Sequence, residues 1–137
     1  MNEKSKRIAG IILIVFPTVA WGGISILGFL MNAESGYADN PLRQDLWRAG
    51  HAHAGVLLVL SLIILRYVDE ANLSEKMKGI VRSGAPLAAI FIPAALFLSV
   101  LDPEATEPNS LIYLAYVGFG VLIFTFISLG VGLLRKK

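Results

Sequence analysis

Two histidines, His51 and His53, are the residues of this chain whose type and spacing could do chemistry. The neutral imidazole of histidine is a common ligand of iron, copper and zinc. Residues two apart on an α-helix point about 200° away from each other, so both imidazoles cannot bind one small metal ion from a regular helix. We therefore expect one to face the bundle or a partner subunit and the other the headgroups, unless the helix unwinds at Gly50. The chain has no cysteine, which excludes disulfides and thiolate metal sites.

His53 is the better candidate for a metal ligand, because it lies deeper in its apolar segment and has small neighbours. Ala52 and Gly55 leave room for a flat, bulky group such as haem against the helix. Arg48, about a turn and a half earlier, is placed to meet a haem propionate through charge-assisted hydrogen bonds. The spacing leaves three interpretations open: polar residues at a helix start near the membrane interface, a ligand of a small metal ion, or a ligand of haem.

The elements that hold these histidines are long and apolar. Of the 137 residues, 55% are hydrophobic and 16% are charged, and four stretches are nearly free of charge. They predict helices over residues 8–31, 49–66, 80–101 and 110–134. At ~1.5 Å per residue, each is long enough to cross a hydrocarbon layer of about 30 Å. The pattern predicts an all-α membrane protein, a four-transmembrane-helix bundle in a single domain over residues 1–137. It excludes a soluble enzyme, a secreted domain and a nucleic-acid-binding protein.

The basic residues indicate how the helices are oriented in the membrane. Ten of the 12 lie at the two ends of the chain or around the second loop. These ten are Lys4, Lys6, Arg7, Arg66, Lys76, Lys78, Arg82, Arg135, Lys136 and Lys137. The positive-inside rule then places both the N and the C terminus in the cytoplasm. We expect a multi-pass protein of the cell membrane whose partner is the lipid bilayer rather than nucleic acid.

The first predicted helix contains two further signals. Pro17 at mid-span predicts a kink, and Gly22 with Gly23 predicts a close contact with another helix. A cleaved signal peptide is the alternative for this segment, but its apolar run is longer than a signal sequence requires. The second and third predicted helices are rich in small residues, so we expect them at the centre of the bundle. A bundle this thin would bury more small-residue surface in a self-associated oligomer.

The segment 47–55, with the sequence WRAGHAHAG, resembles the start of the second helix in styrene oxide isomerase. There a tryptophan precedes an Arg-Ala-His-Ser-Gly run, and the four-helix membrane protein hydroxylaminobenzene mutase has a similar Ala-His-x-x-Gly element. The resemblance implies a homotrimer that binds haem b at the subunit boundary, with ferric iron acting as a Lewis acid on an epoxide oxygen. It makes His53, within residues 52–55, the haem ligand.

This chain also departs from the isomerase pattern. Val59 stands where the isomerase has an asparagine, and the stretch 84–101 lacks the acid and the tyrosine of its third helix. His51 is an additional histidine. The residues that orient an epoxide therefore do not carry over, and the catalytic residues stay unassigned. Tyr113 and Tyr116 share a helix face near the level of His53, where they either hydrogen-bond a ligand or belong to the interfacial aromatic belt.

These observations predict a haem-b membrane protein whose iron is held by His53 and polarises a small, lipid-soluble ligand at an open sixth position. One alternative is a non-enzymatic haem protein for electron transfer or gas sensing, with His51 as the sixth ligand. The other is a haem-free structural or accessory membrane protein.

Overall fold

The computed structural model describes residues 1–135, so Lys136 and Lys137 of the basic C terminus lie outside the described residues. No β-strand occurs in residues 1–135. The helices are α1 (Glu3–Val15), α2 (Pro17–Met31), α3 (Pro41–Tyr67), α4 (Glu75–Leu98) and α5 (Leu114–Leu134), with 3₁₀ turns at Ala33–Ser35 and Ser110–Tyr113. Four stretches are long and apolar enough to cross a membrane: Glu3–Met31, Pro41–Tyr67, Glu75–Leu98 and Ser110–Leu134. The prediction of an all-α, four-transmembrane-helix bundle is confirmed.

The first membrane-spanning stretch is divided at Phe16 into α1 and α2. Pro17 has no backbone N–H to donate, so the helical ladder loses a hydrogen bond at this point. The hydroxyl of Thr18 donates to the carbonyl of Val15 at 2.8 Å, and the amide of Val19 donates to the carbonyl of Phe16 at 3.0 Å. The interruption lies where the sequence predicts a kink.

Capping residues place the helix ends away from the limits of the apolar stretches. α3 begins at Pro41 rather than at Ala49, because the side chain of Asn40 accepts the amide of Arg43 at 3.1 Å and proline suits the first helical position. α4 begins at Glu75 rather than at Ile80, where the Ser74 hydroxyl accepts a backbone amide. The polar first turns of both helices therefore extend beyond their apolar segments.

The second and third membrane-spanning helices, α3 and α4, form the centre of the bundle, as the small residues predict. α4 packs against both α3 and α5, and its Val81, Ala85 and Ala88 are fully buried. α1 and α2 pack on α3, and α2 has no buried residue of its own. Most of the surface of α2 is therefore free to contact lipid or another protein.

Glycines permit the close approach of α5 to its neighbours. A Cβ atom at Gly84 of α4 would overlap the hydroxyl of Thr125 on α5. A Cβ at Gly118 would lie 2.6 Å from Cγ1 of Ile92, well inside van der Waals contact. Gly120, by contrast, has no such atom within 4 Å and faces open space. Only some glycines of α5 thus serve packing within one chain.

One end of the molecule, here called the basic end, combines the start of α1, the loop 68–74 and the end of α5. It is held by a buried ion pair, in which Arg82 Nη2 lies 2.6 Å from Asp69 Oδ1 and Arg82 Nε donates to the Ser5 hydroxyl at 3.0 Å. The backbone amide of Asn2 donates to the second Asp69 oxygen at 2.7 Å. Burial by itself would raise the pKa of Asp69, but the hydrogen bonds from Arg82, Asn2 and Ser5 outweigh it and hold that pKa below its ordinary value.

The opposite end is closed by an aromatic cluster. Trp47 is only 8% exposed, and its indole N–H donates to the carbonyl of Phe97 at 3.2 Å. The ring of Tyr37 stacks on it at 5.5 Å, and the guanidinium of Arg43 lies 4.5 Å from the ring centroid. Trp47 therefore binds α3 to the end of α4 inside the protein.

Candidate functional site

The imidazole of His51 packs against the glycine pair of α2. α3 is a regular helix through this region, so its two histidines diverge and meet different neighbours. A Cβ at Gly23 would lie 3.1 Å from Nε2 and from Cε1 of His51, and a Cβ at Gly22 would lie 3.7 Å from Nδ1. The glycine pair therefore supplies the space that the His51 ring occupies between the two helices.

The imidazole of His53 faces α5 instead. Its centroid lies 5.9 Å from that of Phe119, with the rings nearly perpendicular at 84°. His53 Nδ1 lies 2.7 Å from the backbone carbonyl oxygen of Ala49. Since a carbonyl oxygen only accepts, Nδ1 carries the proton in this contact, and in the neutral imidazole Nε2 is then the nitrogen with the lone pair. Each histidine thus contacts a neighbouring helix, rather than one of them facing the headgroups.

Between the two histidines, α3 presents an exposed apolar strip. Ala52 is exposed, and Val56 and Val59 continue the same face of the helix. We call this strip, bordered by His51 towards α2 and His53 towards α5, the α3 valley. On its α2 side the valley deepens into a groove of about 390 Å³. The groove is lined by Phe16, Val19, His51, Ala52, Gly55, Val56, Val59 and Leu60.

The other predicted site residues surround this valley unequally. Gly55 faces α2, where a Cβ would lie 3.5 Å from Val19, so it clears space beside His51 rather than beside His53. Arg48 lies one turn before Ala52 on the same face and is exposed, and its Nη2 contacts Asp45 Oδ1 at 2.9 Å. Tyr116 is 72% exposed and stacks with Tyr113, with ring centroids 6.1 Å apart.

Phe119, the aromatic residue of α5 that contacts His53, is not among the site residues predicted from the sequence. Phe119 follows Tyr116 by three residues, so the two rings lie on one face of the helix. This spacing is the signal in the sequence that could have identified Phe119. Phe16 and Val19, which line the groove from the other helix, carry no comparable signal in the sequence.

No protein-family model, curated protein or solved structure matches this chain. The assignment of a function therefore depends on the chemistry of the α3 valley.

The residues of the valley could hold a haem through a single ligand. Within residues 1–135 no group of three histidines, cysteines or acids is close enough to hold a metal ion. A haem needs only one protein ligand to its iron, and an imidazole tied by its second nitrogen to a backbone carbonyl is the usual form of that ligand. His53 meets this requirement through Ala49, and the exposed Ala52 leaves the adjacent surface uncovered.

Proposed function

We propose that this protein binds haem b on the α3 valley, where Nε2 of His53 would hold the iron. The observation that carries the proposal is the 2.7 Å contact between His53 Nδ1 and the carbonyl of Ala49. This contact orients the imidazole through its second nitrogen, as an outer hydrogen bond does for a metal-bound histidine. The resemblance of residues 47–55 to the haem-binding segment of styrene oxide isomerase supports the same residue.

Residues on the same face of α3 would hold the rest of the group. Ala52, Val56 and Val59 offer an apolar wall for the macrocycle, and Phe119 limits the movement of the His53 ring. Arg48 stands one turn nearer the membrane surface, and exchanging its exposed contact with Asp45 for a propionate would keep its charge paired.

The chemistry proposed for the site is of the isomerase type. When bound, a haem iron with an open position supplies a Lewis acid for an oxygen atom of the substrate. The valley opens towards the bilayer and is lined by apolar side chains such as Val56 and Val59, which favours neutral, lipid-soluble substrates. Val59 in place of an asparagine gives the chain no hydrogen bond for an epoxide at this position, so the substrate proposed here need not be an epoxide.

We further propose that the chain works as a homo-oligomer, a trimer as in the isomerase it resembles, with both termini in the cytoplasm of the cell. The uncovered face of α2 and the open valley support self-association, because a neighbouring copy would cover apolar surface at both. The distribution of basic residues supports the orientation.

A second candidate function is electron transfer or gas sensing by a haem with two histidine ligands. The observation that favours it is His51, whose ring nitrogens have no hydrogen-bond partner within residues 1–135. The two histidines of one helix diverge, so the second ligand would come from His51 of a neighbouring copy. In that arrangement the iron has no open position for a substrate.

Absorption spectra of the detergent-purified protein, oxidised and reduced, test both candidates after haem is supplied during expression. We expect a Soret band that is lost in His53→Ala and retained in His51→Ala, its matched control two residues away. Ala52→Leu, which narrows the valley without touching either histidine, should weaken haem binding at least tenfold. Size-exclusion chromatography establishes that each variant is folded.

The spin state separates the two haem functions. Five-coordinate, high-spin iron supports the isomerase-type site, whereas six-coordinate, low-spin iron that becomes five-coordinate in His51→Ala supports the electron-transfer or sensing site. A colourless wild-type protein that also fails to bind added haemin would overturn both, and would leave a membrane protein in which the histidines serve helix packing.

A further inference from the structure

Two grooves meet on α4 near the basic end, and neither shares a lining residue with the groove of the α3 valley. One lies between α4 and α5, has a volume of about 670 Å³ and includes Lys76, Leu87 and Phe124 in its lining. The other lies between α1 and α4, has a volume of about 460 Å³ and includes Lys4 and Arg7. The α1/α4 groove also includes Glu75, which is paired with Lys78, and Arg82, which is paired with Asp69. The other lining residues of both grooves are apolar or small. We call them the α4/α5 groove and the α1/α4 groove.

The ridge between the two grooves is low. Gly79 and Ser83 line both of them, and a Cβ at Gly79 would meet no atom within 4 Å. The Ser83 hydroxyl donates to the Gly79 carbonyl at 3.2 Å, so its polar hydrogen is satisfied within the helix. A molecule with two apolar branches could therefore place one branch on each side of this ridge without covering an unpaired polar group.

The basic end holds cations that no acid within residues 1–135 neutralises. The acids at this end are each paired with another cation: Glu3 with Lys6, Asp69 with Arg82, Glu70 with Arg66, and Glu75 with Lys78. Lys4, Arg7 and Lys76 have neither an ion-pair partner nor a hydrogen bond from their side chains within residues 1–135. Lys4 and Arg7 line the α1/α4 groove and Lys76 lines the α4/α5 groove, so both grooves combine positive charge with apolar surface.

The length of the α4/α5 groove is close to the thickness of the hydrocarbon layer of one leaflet. From Lys76 to Leu87, α4 rises about 16 Å at ~1.5 Å per residue. This is roughly half of a hydrocarbon core of about 30 Å. The groove therefore extends from the charged end of the helix to about the bilayer midplane, which is the region that the acyl chains of one leaflet occupy.

We propose that these two grooves bind one anionic phospholipid, with its phosphate among Lys4, Arg7 and Lys76 and one acyl chain in each groove. Charge selects the headgroup, because basic pockets between helices attract anionic lipids and each nearby Lys or Arg contributes to that attraction. The low ridge at Gly79 separates the two chains. The lipid connects α1 to α4, two helices that otherwise meet at this end through the hydrogen bond from Arg82 to Ser5.

The test uses the full chain in detergent, titrated with dioleoyl phosphatidylglycerol or dioleoyl phosphatidylcholine and observed by native mass spectrometry. We expect one phosphatidylglycerol to bind each chain at least tenfold more tightly than phosphatidylcholine. Each loss of a cation in Lys4→Gln, Arg7→Gln or Lys76→Gln should weaken phosphatidylglycerol binding about fivefold, the factor that follows from the usual contribution of one basic residue. Lys6→Gln removes one charge from the same end without lining either groove, and should leave binding nearly unchanged.

A second variant tests the acyl chains separately from the headgroup. Gly79→Leu adds a side chain where the helix has open space, so it should fold normally, raise the ridge and weaken phosphatidylglycerol binding at least tenfold with all cations intact. Equal binding of the two lipids, or equal effects of Lys76→Gln and Lys6→Gln, would overturn the headgroup assignment. Unchanged binding in Gly79→Leu, or a change in oligomer size instead, would show that lipid chains do not occupy the grooves.

Discussion

At the scale of single residues, the Asp69–Arg82 pair gives the clearest energetic prediction. Arg82 is 3% exposed, so its charge has little water to compensate for the loss of its partner. Asp69→Asn leaves a buried cation without its anion, and breaking a buried pair in this way costs about 3–5 kcal/mol. We expect a loss of about 3 kcal/mol in the free energy of unfolding, measured by reversible unfolding in mixed micelles of detergent and SDS.

Glu70→Gln is the matched control for this variant. Glu70 is the next residue along the chain and also pairs with an arginine, Arg66, but both side chains are mostly exposed. Exposed pairs are screened by water and contribute little. The free energy of unfolding should therefore stay close to that of the wild type, and equal losses in the two variants would contradict the role assigned to burial.

The lowered pKa of Asp69 also predicts a pH dependence. Hydrogen bonds from Arg82 and Asn2 favour the charged carboxylate in the folded protein, whereas in the unfolded chain an aspartate titrates near its usual pKa of about 3.9. The stabilisation is therefore complete above about pH 4 and is lost as the pH falls through the folded-state pKa. The difference in unfolding free energy between wild type and Asp69→Asn should be constant from about pH 7 to pH 5 and shrink below about pH 4. A difference that grew as the pH fell would contradict this sign.

At the scale of helices, two glycines of α4 make opposite predictions. A Cβ at Gly84 would overlap Thr125, so Gly84→Ala must push α4 and α5 apart and should cost about 1–3 kcal/mol of unfolding free energy. Gly79→Ala, in the same helix but facing open space, should be neutral or stabilise by up to about 1 kcal/mol because alanine is the better helix former. Unfolding of both variants in mixed micelles provides the measurement. Equal changes in the unfolding free energy of the two variants would show that the packing of α4 on α5 does not depend on the contact between Gly84 and Thr125.

The helix ends illustrate why a sequence predicts that a helix exists more reliably than where it begins and ends. The apolar run that predicts a helix over residues 49–66 reports only the part that crosses the hydrocarbon. The additional turns of α3 are polar, and they begin at Pro41 because Asn40 caps them and because Arg43 and Trp47 bind the end of α4. The tertiary contacts that stabilise these polar turns cannot be predicted from an apolar run.

At the scale of the whole molecule, the orientation in the membrane can be tested with single introduced cysteines, because the chain has no cysteine of its own. Single cysteines introduced by Glu70→Cys, in the loop at the basic end, and by Ala38→Cys, between α2 and α3, are the only thiols and both positions are exposed. The positive-inside rule predicts that a membrane-impermeant maleimide added to intact cells labels Ala38→Cys alone. Permeabilised cells, in which both variants should be labelled, are the control. Labelling of Glu70→Cys in intact cells would reverse the proposed orientation.

The number of membrane-spanning helices and the divergence of the two histidines follow from the order of residues alone. Both depend on local quantities, the length of an apolar run and the angle between neighbouring positions of a helix.

The helix that each histidine contacts is decided only by the tertiary structure. That His51 meets Gly23 while His53 meets Phe119 depends on which faces of α2 and α5 approach α3. The burial of Asp69 against Arg82 likewise depends on how the loop and α4 fold together. Such contacts form only when the helices pack. Side chains that are far apart in the chain must then fill the shared space without overlap, and this requirement selects which surfaces meet.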